Sequence, residues 1–281
     1  MGDFAVYETM IPLLDEARRG KNGVGAFNIH ALEVVPVMIQ AAAELKTPVI
    51  LQVSVSTAKY IGFGLLASVV REIAEQKEIK VALHLDHSRE LEDIQAALDG
   101  GFSSVMIDGS QLSLEENIRV TCRAVDMARA AGASIEAELG IVGRGKVVTP
   151  YPYTDPEEAR IFVEKTGVDA LAIAIGTHHG QYKDKTAISL DALERIHRAV
   201  DIPLVLHGGT GVREEELGRL IDLGMYKLNF GTELNVAWVR AAQEVFGSAE
   251  LDDSLRDLMI RCNLAMKGVI QNKIRLVSRL S

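Results

Sequence analysis

The sequence predicts an α/β protein, a closed (β/α)8 barrel with an extra helix at the N-terminus and extra helices at the C-terminus. Short apolar segments alternate along the chain with helical segments of roughly ten or more residues, which is the pattern of a parallel sheet. Eight such strand–helix units fit into the 281 residues, and a barrel of this kind typically needs about 250. On most of the predicted strands the inward-facing polar residues lie near the C-terminal end, where barrel enzymes carry their active sites.

The predicted elements follow one another closely along the chain. An amphipathic helix over residues 3–20 precedes the first strand. The eight strands are predicted at 23–29, 48–54, 81–87, 103–109, 134–140, 170–176, 203–209 and 227–233. The helices between them are predicted near 31–46, 57–77, 89–98, 113–131, 155–166, 189–199 and 213–223, and two more, near 235–247 and 251–276, close the chain. Glycines or prolines separate most helices from the next strand, as expected where a helix ends.

A doubly wound open sheet is the alternative architecture. It is disfavoured because the first predicted strand is not followed by the Gly-x-Gly-x-x-Gly pattern of dinucleotide-binding sheets. No linker or low-complexity segment divides the chain, so residues 1–281 are predicted to form a single catalytic domain. The one long irregular stretch, 141–154, follows the fifth strand, and loops of that length are usually lids or binding loops.

Charge and composition exclude several classes of partner. The formal net charge is −9, there is no long basic segment, and aromatic residues make up only 5% of the chain, all of which argues against nucleic-acid binding. No apolar run approaches the roughly 20 residues that span a bilayer, and the N-terminal residues lack the pattern of a signal peptide. We therefore expect a cytoplasmic protein with neither a nucleic-acid nor a membrane partner.

Alternation along each strand identifies the side chains that point into the barrel. On most strands these inward positions become polar towards the C-terminal end, whereas the outward positions are Leu, Ile, Val and Phe. The inward polar residues are Asn28, Gln52, Ser54, His84, Asp86, Asp108, Ser134, Glu136, Glu138, His207, Lys227 and Asn229. Since buried polar groups need partners, the convergence of most of these residues on the C-terminal rim indicates an active site.

Three histidines fall at the ends of the third, sixth and seventh strands: His87, His179 and His207. Three imidazoles that converge with a fourth position open are typical of a catalytic zinc site. His84, which lies further down its strand, and His178, beside His179, are weaker ligand candidates.

The segment His207-Gly208-Gly209-Thr210-Gly211 predicts a phosphate site. Backbone N–H groups of a glycine turn before a helix bind anions, and the end of a barrel between strands seven and eight is a recurrent phosphate site. Thr210 is predicted to cap the helix that begins near Arg213, and Asn229 and Thr232 top the eighth strand beside it. The pattern therefore indicates a phosphorylated substrate.

Six motifs together carry a resemblance to a known family. They are HLDH at 84–87, SVMIDG at 104–109, EAELG at 136–140, AIGTHHG at 174–180, LHGGTG at 206–211 and KLNFGTE at 227–233. In order and spacing they resemble the class II (zinc-dependent) ketose-bisphosphate aldolases, which include the fructose- and tagatose-bisphosphate enzymes. The resemblance runs from about Gly25 to the last helix.

The resemblance implies a lyase of carbohydrate metabolism, as in glycolysis, that reversibly cleaves a fructose- or tagatose-1,6-bisphosphate-like ketose to dihydroxyacetone phosphate and an aldehyde. It implies that Zn²⁺ is held by His87, His179 and His207, polarises the C2 carbonyl and stabilises the enediolate. Asp86 would exchange a proton with the C4 oxygen, and Asp108 and Glu138 would serve an alternative metal position.

The resemblance also implies how the substrate is bound. The implied substrate-binding residues are Asn28, Ser54, Gly180, Lys183, Gly208, Gly209, Thr210, Asn229, Phe230, Gly231 and Thr232. A monovalent cation, Na⁺ or K⁺, would assist phosphate binding, and the protein would be a homodimer or homotetramer. Independently, the sixth strand has no lysine and Lys227 lies near the wrong end of its strand, which disfavours a Schiff-base mechanism.

The loop after the fifth strand departs from the family. Family members usually carry an acidic Gly-Gly-x-Glu-Asp stretch there, whose Glu moves the proton at the enediolate carbon. This chain instead has Arg144 and Lys146, and the next carboxylate, Asp155, is predicted to cap the following helix. Arg144 and Lys146 are therefore predicted to bind an anionic group at the distal end of the substrate, or else they are solvated loop charges.

Two further positions differ from the family. Gly231 stands where many fructose-bisphosphate enzymes have Asp or Asn, and a small residue there favours the tagatose type. His178 replaces a residue that is usually small. The alternative to an active aldolase is a non-catalytic sugar-phosphate-binding relative or a subunit that requires a partner.

Overall fold

In the computed structural model, residues 6–144, 153–180, 188–250 and 252–280 are described, with backbone alone at 143, 144 and 179. Eight parallel strands form a closed barrel in which each strand pairs with the next and the last pairs with the first. They are β1 (Val24–Asn28), β2 (Val49–Ser54), β3 (Val81–Ser88), β4 (Ser104–Ile107), β5 (Ser134–Leu139), β6 (Ala170–Ile173), β7 (Leu204–Leu206) and β8 (Met225–Phe230). The predicted fold class is confirmed.

Helices surround the barrel in the order that the sequence predicts. They are α1 (Met10–Gly20), α2 (Val35–Glu44), α3 (Val55–Ile61), α4 (Phe63–Lys77), α5 (Leu91–Asp99), α6 (Leu114–Ala131), α7 (Pro156–Thr166), α8 (Leu190–Ala199), α9 (Glu214–Asp222), α10 (Thr232–Gly247) and α11 (Leu255–Val277). Asp155 caps α7 as predicted, since its Oδ1 accepts hydrogen bonds from the N–H groups of Glu157 and Glu158. No helix in these ranges has the length and apolar character that a membrane span requires.

Two helix predictions are wrong in their boundaries. The first helix begins at Met10, because its N-cap residue Thr9 is extended and Tyr7 pairs in parallel with Val81 at the start of β3; residues 3–5 of the predicted helix lie outside the described residues. The predicted helix over 57–77 is two helices, α3 and α4, separated by Gly62. Gly62 has a φ of 100°, a conformation open to glycine but incompatible with a continuous helix.

The N-terminal helix α1 closes the bottom of the barrel. Its Met10, Leu13 and Leu14 are fully buried against the inward residues at the N-terminal ends of the strands, such as Ile50 and Val205. The outward residues of the strands pack under the surrounding helices in a second and larger apolar core. With the bottom closed by apolar packing, polar inward residues are concentrated towards the C-terminal rim.

Candidate active site

Two histidines from opposite sides of the barrel meet at the C-terminal rim. His87 Nε2 lies 2.9 Å from His207 Nδ1, and the two rings are nearly perpendicular, at 87°. Asp86, His87 and His207 each offer one ligand atom, and these atoms lie within 4.8 Å of one another. We call these three residues the candidate metal centre.

The backbone of β3 changes direction at His87, and this turn aims the imidazole inward. Simple alternation would place His87 opposite Asp86, on the outward face of the strand. Instead, the register with β4 shifts between Leu85 and Ser88, and His87 has a φ of 51°, which is uncommon for a residue other than glycine. The bulge therefore brings two adjacent residues, a carboxylate and an imidazole, into one site.

The carboxylates around His87 favour the positively charged form of its ring. His87 Nδ1 lies 3.1 Å from Asp108 Oδ2 and 3.6 Å from Glu138 Oε2. Burial alone would lower the pKa of His87, but Asp86, Asp108 and Glu138 outweigh burial and raise this pKa to about 9. Burial raises the pKa of Glu138 to about 7. Burial would also raise the pKa of Asp108, but hydrogen bonds from His87 and Ser110 hold it well below its usual range.

These donors suit a zinc ion. Imidazole nitrogen and carboxylate oxygen are both zinc ligands, and two ring nitrogens 2.9 Å apart face the same space. His87, Asp108 and Glu138 form a second compact set of ligand atoms on the other side of the same ring. The third predicted ligand, His179, has its backbone at the rim, where Gly143–Arg144 pairs in parallel with His178–His179, but its side chain is outside the described atoms.

Asp86 is held by amides from the two preceding strands. Asn28 Nδ2 donates a hydrogen bond of 3.3 Å to Asp86 Oδ2. Gln52 Nε2 in turn donates one of 2.9 Å to Asn28 Oδ1. Gly231 makes room for this arrangement, because a Cβ at that position would lie 2.6 Å from Asn28 Oδ1. Sequence alternation pointed Gln52 into the barrel, but its link to Asn28 was not predicted.

A cavity of about 260 Å³ opens beside Asp86 at the end of the barrel between β7, β8 and β1. It is lined by Asn28, His30, Gln52, Asp86, Gly180, Gly208, Thr210, Asn229, Gly231, Thr232 and Asn235. The structure thus brings together eight of the predicted site residues, namely Asn28, Asp86, Gly180, Gly208, Thr210, Asn229, Gly231 and Thr232. His30, Gln52 and Asn235 were not among the predicted site residues.

The remaining predicted substrate residues are placed differently. Ser54 lies in an adjoining cavity with His87. Phe230 is fully buried and its ring stacks on Phe27, so any contact it makes with a ligand comes from its backbone. Gly209 is also buried, under the backbone of β8. The predicted residues Lys146 and Lys183 and the side chain of Arg144 lie outside the described atoms.

Thr210 does not cap a helix as predicted. Gly209–Gly211 forms a short 3-10 turn, α9 begins at Glu214, and its N-cap residue Arg213 makes no side-chain cap hydrogen bond. Gly208, before the turn, has a φ of 72°, a left-handed conformation that glycine adopts readily. The turn still presents backbone to the cavity beside the candidate metal centre.

A match to a known protein family spans nearly the whole chain. The sequence model of "Fructose-bisphosphate aldolase class-II" matches residues 8–279. The chain belongs to the class II fructose-bisphosphate aldolase family. Members of this family are lyases. The family is zinc-dependent, which agrees with the imidazole nitrogen and carboxylate oxygen donors at the rim.

Two curated relatives and one solved structure are similar to almost the whole chain. It is 44% identical over 273 residues to a fructose-bisphosphate aldolase from Geobacillus stearothermophilus, covering 95% of each chain. It is 38% identical over 267 residues to the D-tagatose-1,6-bisphosphate aldolase subunit GatY from Klebsiella oxytoca, covering 93% of this chain and 94% of that one. Among solved structures, the YdjI aldolase from Escherichia coli K12 superposes with a TM-score of 0.86 at 33% identity, covering 96% of this chain and 97% of that one.

Proposed function

We propose that the protein is a zinc-dependent aldolase that reversibly cleaves a phosphorylated ketose, similar to fructose- or tagatose-1,6-bisphosphate, into dihydroxyacetone phosphate and an aldehyde. One observation carries the proposal. The carboxylate of Asp86 lies next to the His87–His207 nitrogen pair, at the edge of a cavity that predicted phosphate-binding residues line. The proposed cation site, proton acceptor and anion site would therefore be adjacent, as aldol cleavage of a sugar phosphate requires.

The zinc ligands in this proposal are His87, His179 and His207, and Asp108 and Glu138 provide an alternative position. Zinc bound there would supply the positive charge that polarises the ketose carbonyl and stabilises negative charge on its oxygen. The carboxylates that raise the pKa of His87 to about 9 favour any cation in this place.

Asp86 is the proposed general base in cleavage. It takes the proton of the C4 hydroxyl as the carbon–carbon bond breaks, and it returns that proton in the condensation direction. Asn28 holds Oδ2 of Asp86 by its 3.3 Å hydrogen bond, so the carboxylate keeps one orientation towards the cavity. Such preorganisation matters because proton transfer requires hydrogen-bond distance to the substrate hydroxyl.

The triose phosphate half of the substrate is proposed to bind in the 260 Å³ cavity. The residues proposed to hold it are Asn28, Gly180, Lys183, Gly208, Gly209, Thr210, Asn229, Phe230, Gly231 and Thr232, and Ser54 lies towards the distal half. The glycine turn after β7 supplies backbone N–H groups to the phosphate, and a monovalent cation, Na⁺ or K⁺, assists. The placement agrees with the phosphate sites of other barrels at this end.

The distal half of the substrate is proposed to carry an anionic group that Arg144 and Lys146 bind. The backbone of Arg144 pairs with that of His179, so the basic loop starts at the rim of the site. Guanidinium groups bind carboxylate or phosphate by charge-assisted hydrogen bonds.

A cytoplasmic homodimer or homotetramer of a single catalytic domain is also proposed. Exposed apolar side chains on α10 and α11, such as Phe246, Leu255 and Leu264, support association with another chain. Both cysteines, Cys122 and Cys262, are free, as is usual in a reducing compartment.

A partner-dependent enzyme is the second candidate, because one relative above is described as an aldolase subunit. A single screen separates the two. The purified protein with added zinc is incubated with phosphorylated ketoses, and release of dihydroxyacetone phosphate is followed by a coupled dehydrogenase. Turnover by the isolated chain supports the first candidate. Zinc binding without turnover on any ketose contradicts it and favours the subunit.

A further inference from the structure

Three fully buried side chains lie inside the barrel just below the candidate metal centre: His84, Glu136 and Lys227. Lys227 Nζ lies 2.8 Å from Glu136 Oε2, and His84 Nε2 lies 3.5 Å from the same oxygen. The other carboxylate oxygen of Glu136, Oε1, lies 2.9 Å from His207 Nε2. Glu136 therefore connects a buried lysine to a histidine of the candidate metal centre.

Stability does not explain why these charges are there. Two opposite charges lose their hydration when they are buried, and apolar side chains of similar size often replace such a pair without loss of stability. The interior nearer the bottom of the barrel is filled by apolar residues such as Ala26, Ile50 and Val205. A further apolar layer at Glu136 and Lys227 would thus continue the packing below it. The pair is better explained by what it does to His207.

The position of Glu136 determines which nitrogen of His207 carries the proton. A carboxylate paired with an ammonium only accepts hydrogen bonds, so Nε2 of His207 must donate. In the neutral ring, Nδ1 then holds the lone pair, and Nδ1 is the atom that lies 2.9 Å from His87 Nε2. Metal-binding histidines generally donate their second N–H to a carboxylate or a carbonyl, which fixes the ring and makes it a better ligand.

We propose that Glu136 is a positioning residue that presents Nδ1 of His207 to the metal, and that Lys227 holds Glu136 in place and balances its charge. Neither Glu136 nor Lys227 is among the residues that line the substrate cavity, so both act through His207. The inference rests on the zinc centre proposed above, to which it adds a second layer of residues.

Two double variants isolate the hydrogen-bond acceptor. In Glu136→Gln with Lys227→Met, an amide oxygen still accepts from His207 Nε2 and no unpaired ammonium remains. In Glu136→Leu with Lys227→Met, the acceptor is lost, while side-chain size and total charge match the first variant. We expect the Leu variant to bind zinc about 10–100-fold more weakly than the Gln variant, as measured by competition with a chelator.

Ser104→Ala is the matched control within the same buried layer. It removes the hydroxyl that lies 2.7 Å from His84 Nδ1, but it leaves Glu136 and His207 unchanged. Its zinc affinity should equal that of the wild type. Equal zinc affinities of the Gln and Leu double variants, in a wild-type protein that binds zinc, would overturn this inference alone.

A measurement on the unmodified zinc-loaded protein does not depend on the folding of any variant. Long-range ¹H–¹⁵N spectra of the His207 ring should place the proton on Nε2, with its resonance shifted downfield by the hydrogen bond to Glu136. A proton on Nδ1 would overturn the inference. A wild-type protein that binds no zinc would overturn both the inference and the proposed function.

Discussion

The side-chain amide of Asn28 donates a hydrogen bond of 3.3 Å to the carboxylate of Asp86, across the intervening strand β2. Gln52, on β2, donates to the carbonyl oxygen of the same amide at 2.9 Å. Three neighbouring strands thus contribute one side chain each to a chain of hydrogen bonds that ends on the proposed general base. Gln52 is almost fully buried, so water does not compete for its hydrogen bond to Asn28.

Asn28→Ala should lower kcat by about 10–100-fold. A hydrogen bond to a charged group contributes about 1.5–3 kcal/mol, and each 1.4 kcal/mol of barrier is about tenfold in rate. Steady-state release of dihydroxyacetone phosphate measures the effect. Gln52→Leu is the matched control, which removes the support behind Asn28 but not Asn28 itself, and it should cost less. Wild-type turnover in Asn28→Ala would show that Asp86 needs no such support.

Gly231→Ala should lower kcat through Asn28. The new Cβ would lie 2.6 Å from Asn28 Oδ1, so the amide must move away from Asp86. In an Asn28→Ala background the same change should cost little, since the atom it displaces is gone. Gly247→Ala is the control, because a Cβ there meets no atom within 4 Å. Fully additive losses in the double variant would mean that Gly231 acts independently of Asn28.

Asp86→Ala should keep zinc and lose cleavage. Positioned proton transfer typically contributes about 10²–10⁴-fold to a rate, and the two histidines of the candidate metal centre remain in place. Metal analysis and the turnover assay, run on the same preparation, give both quantities. Turnover near the wild-type value would show that another group moves the C4 proton.

His207→Ala should lose zinc and activity while remaining folded, as judged by circular dichroism. His207 supplies one of the two ring nitrogens that are 2.9 Å apart. Without it, His87 is the one described histidine left in the candidate metal centre. His197→Gln is the control, because His197 packs against Gly224 near the N-terminal end of β8, away from the rim. Chelation of the wild type should abolish activity and added zinc should restore it. Full zinc occupancy in His207→Ala would exclude His207 as a ligand.

Arg144→Ala should raise KM for a substrate with an anionic distal end by about 10–100-fold. One or two charge-assisted hydrogen bonds of about 1.5–3 kcal/mol would be lost, at about 1.4 kcal/mol per tenfold change. Proton exchange of dihydroxyacetone phosphate with solvent should be nearly unchanged, because guanidinium, with a pKa of roughly 12 or above, is a poor proton donor. Loss of that exchange with an unchanged KM would instead assign the loop to proton transfer.

The sequence by itself determined the barrel, the order of its eight strands and the rim at which polar residues gather. These features depend on local sequence. A short stretch of residues is enough to show the period of two in a strand, the helical period, and the glycines and prolines between elements. Motif spacing also determined the family and directed attention to Asp86, His87 and His207.

Only the tertiary structure decided how those residues support one another. Asn28 and Gly231 are far apart in the sequence, and Glu136, His207 and Lys227 lie on or directly after three different strands, so no local pattern relates them. Alternation along β3 predicts an outward side chain at His87. The side chain points inward instead, because the register between β3 and β4 shifts at this position. Such contacts arise only when closure of the barrel brings distant strand ends together, which is why the sequence predicts the site but not its supporting hydrogen bonds.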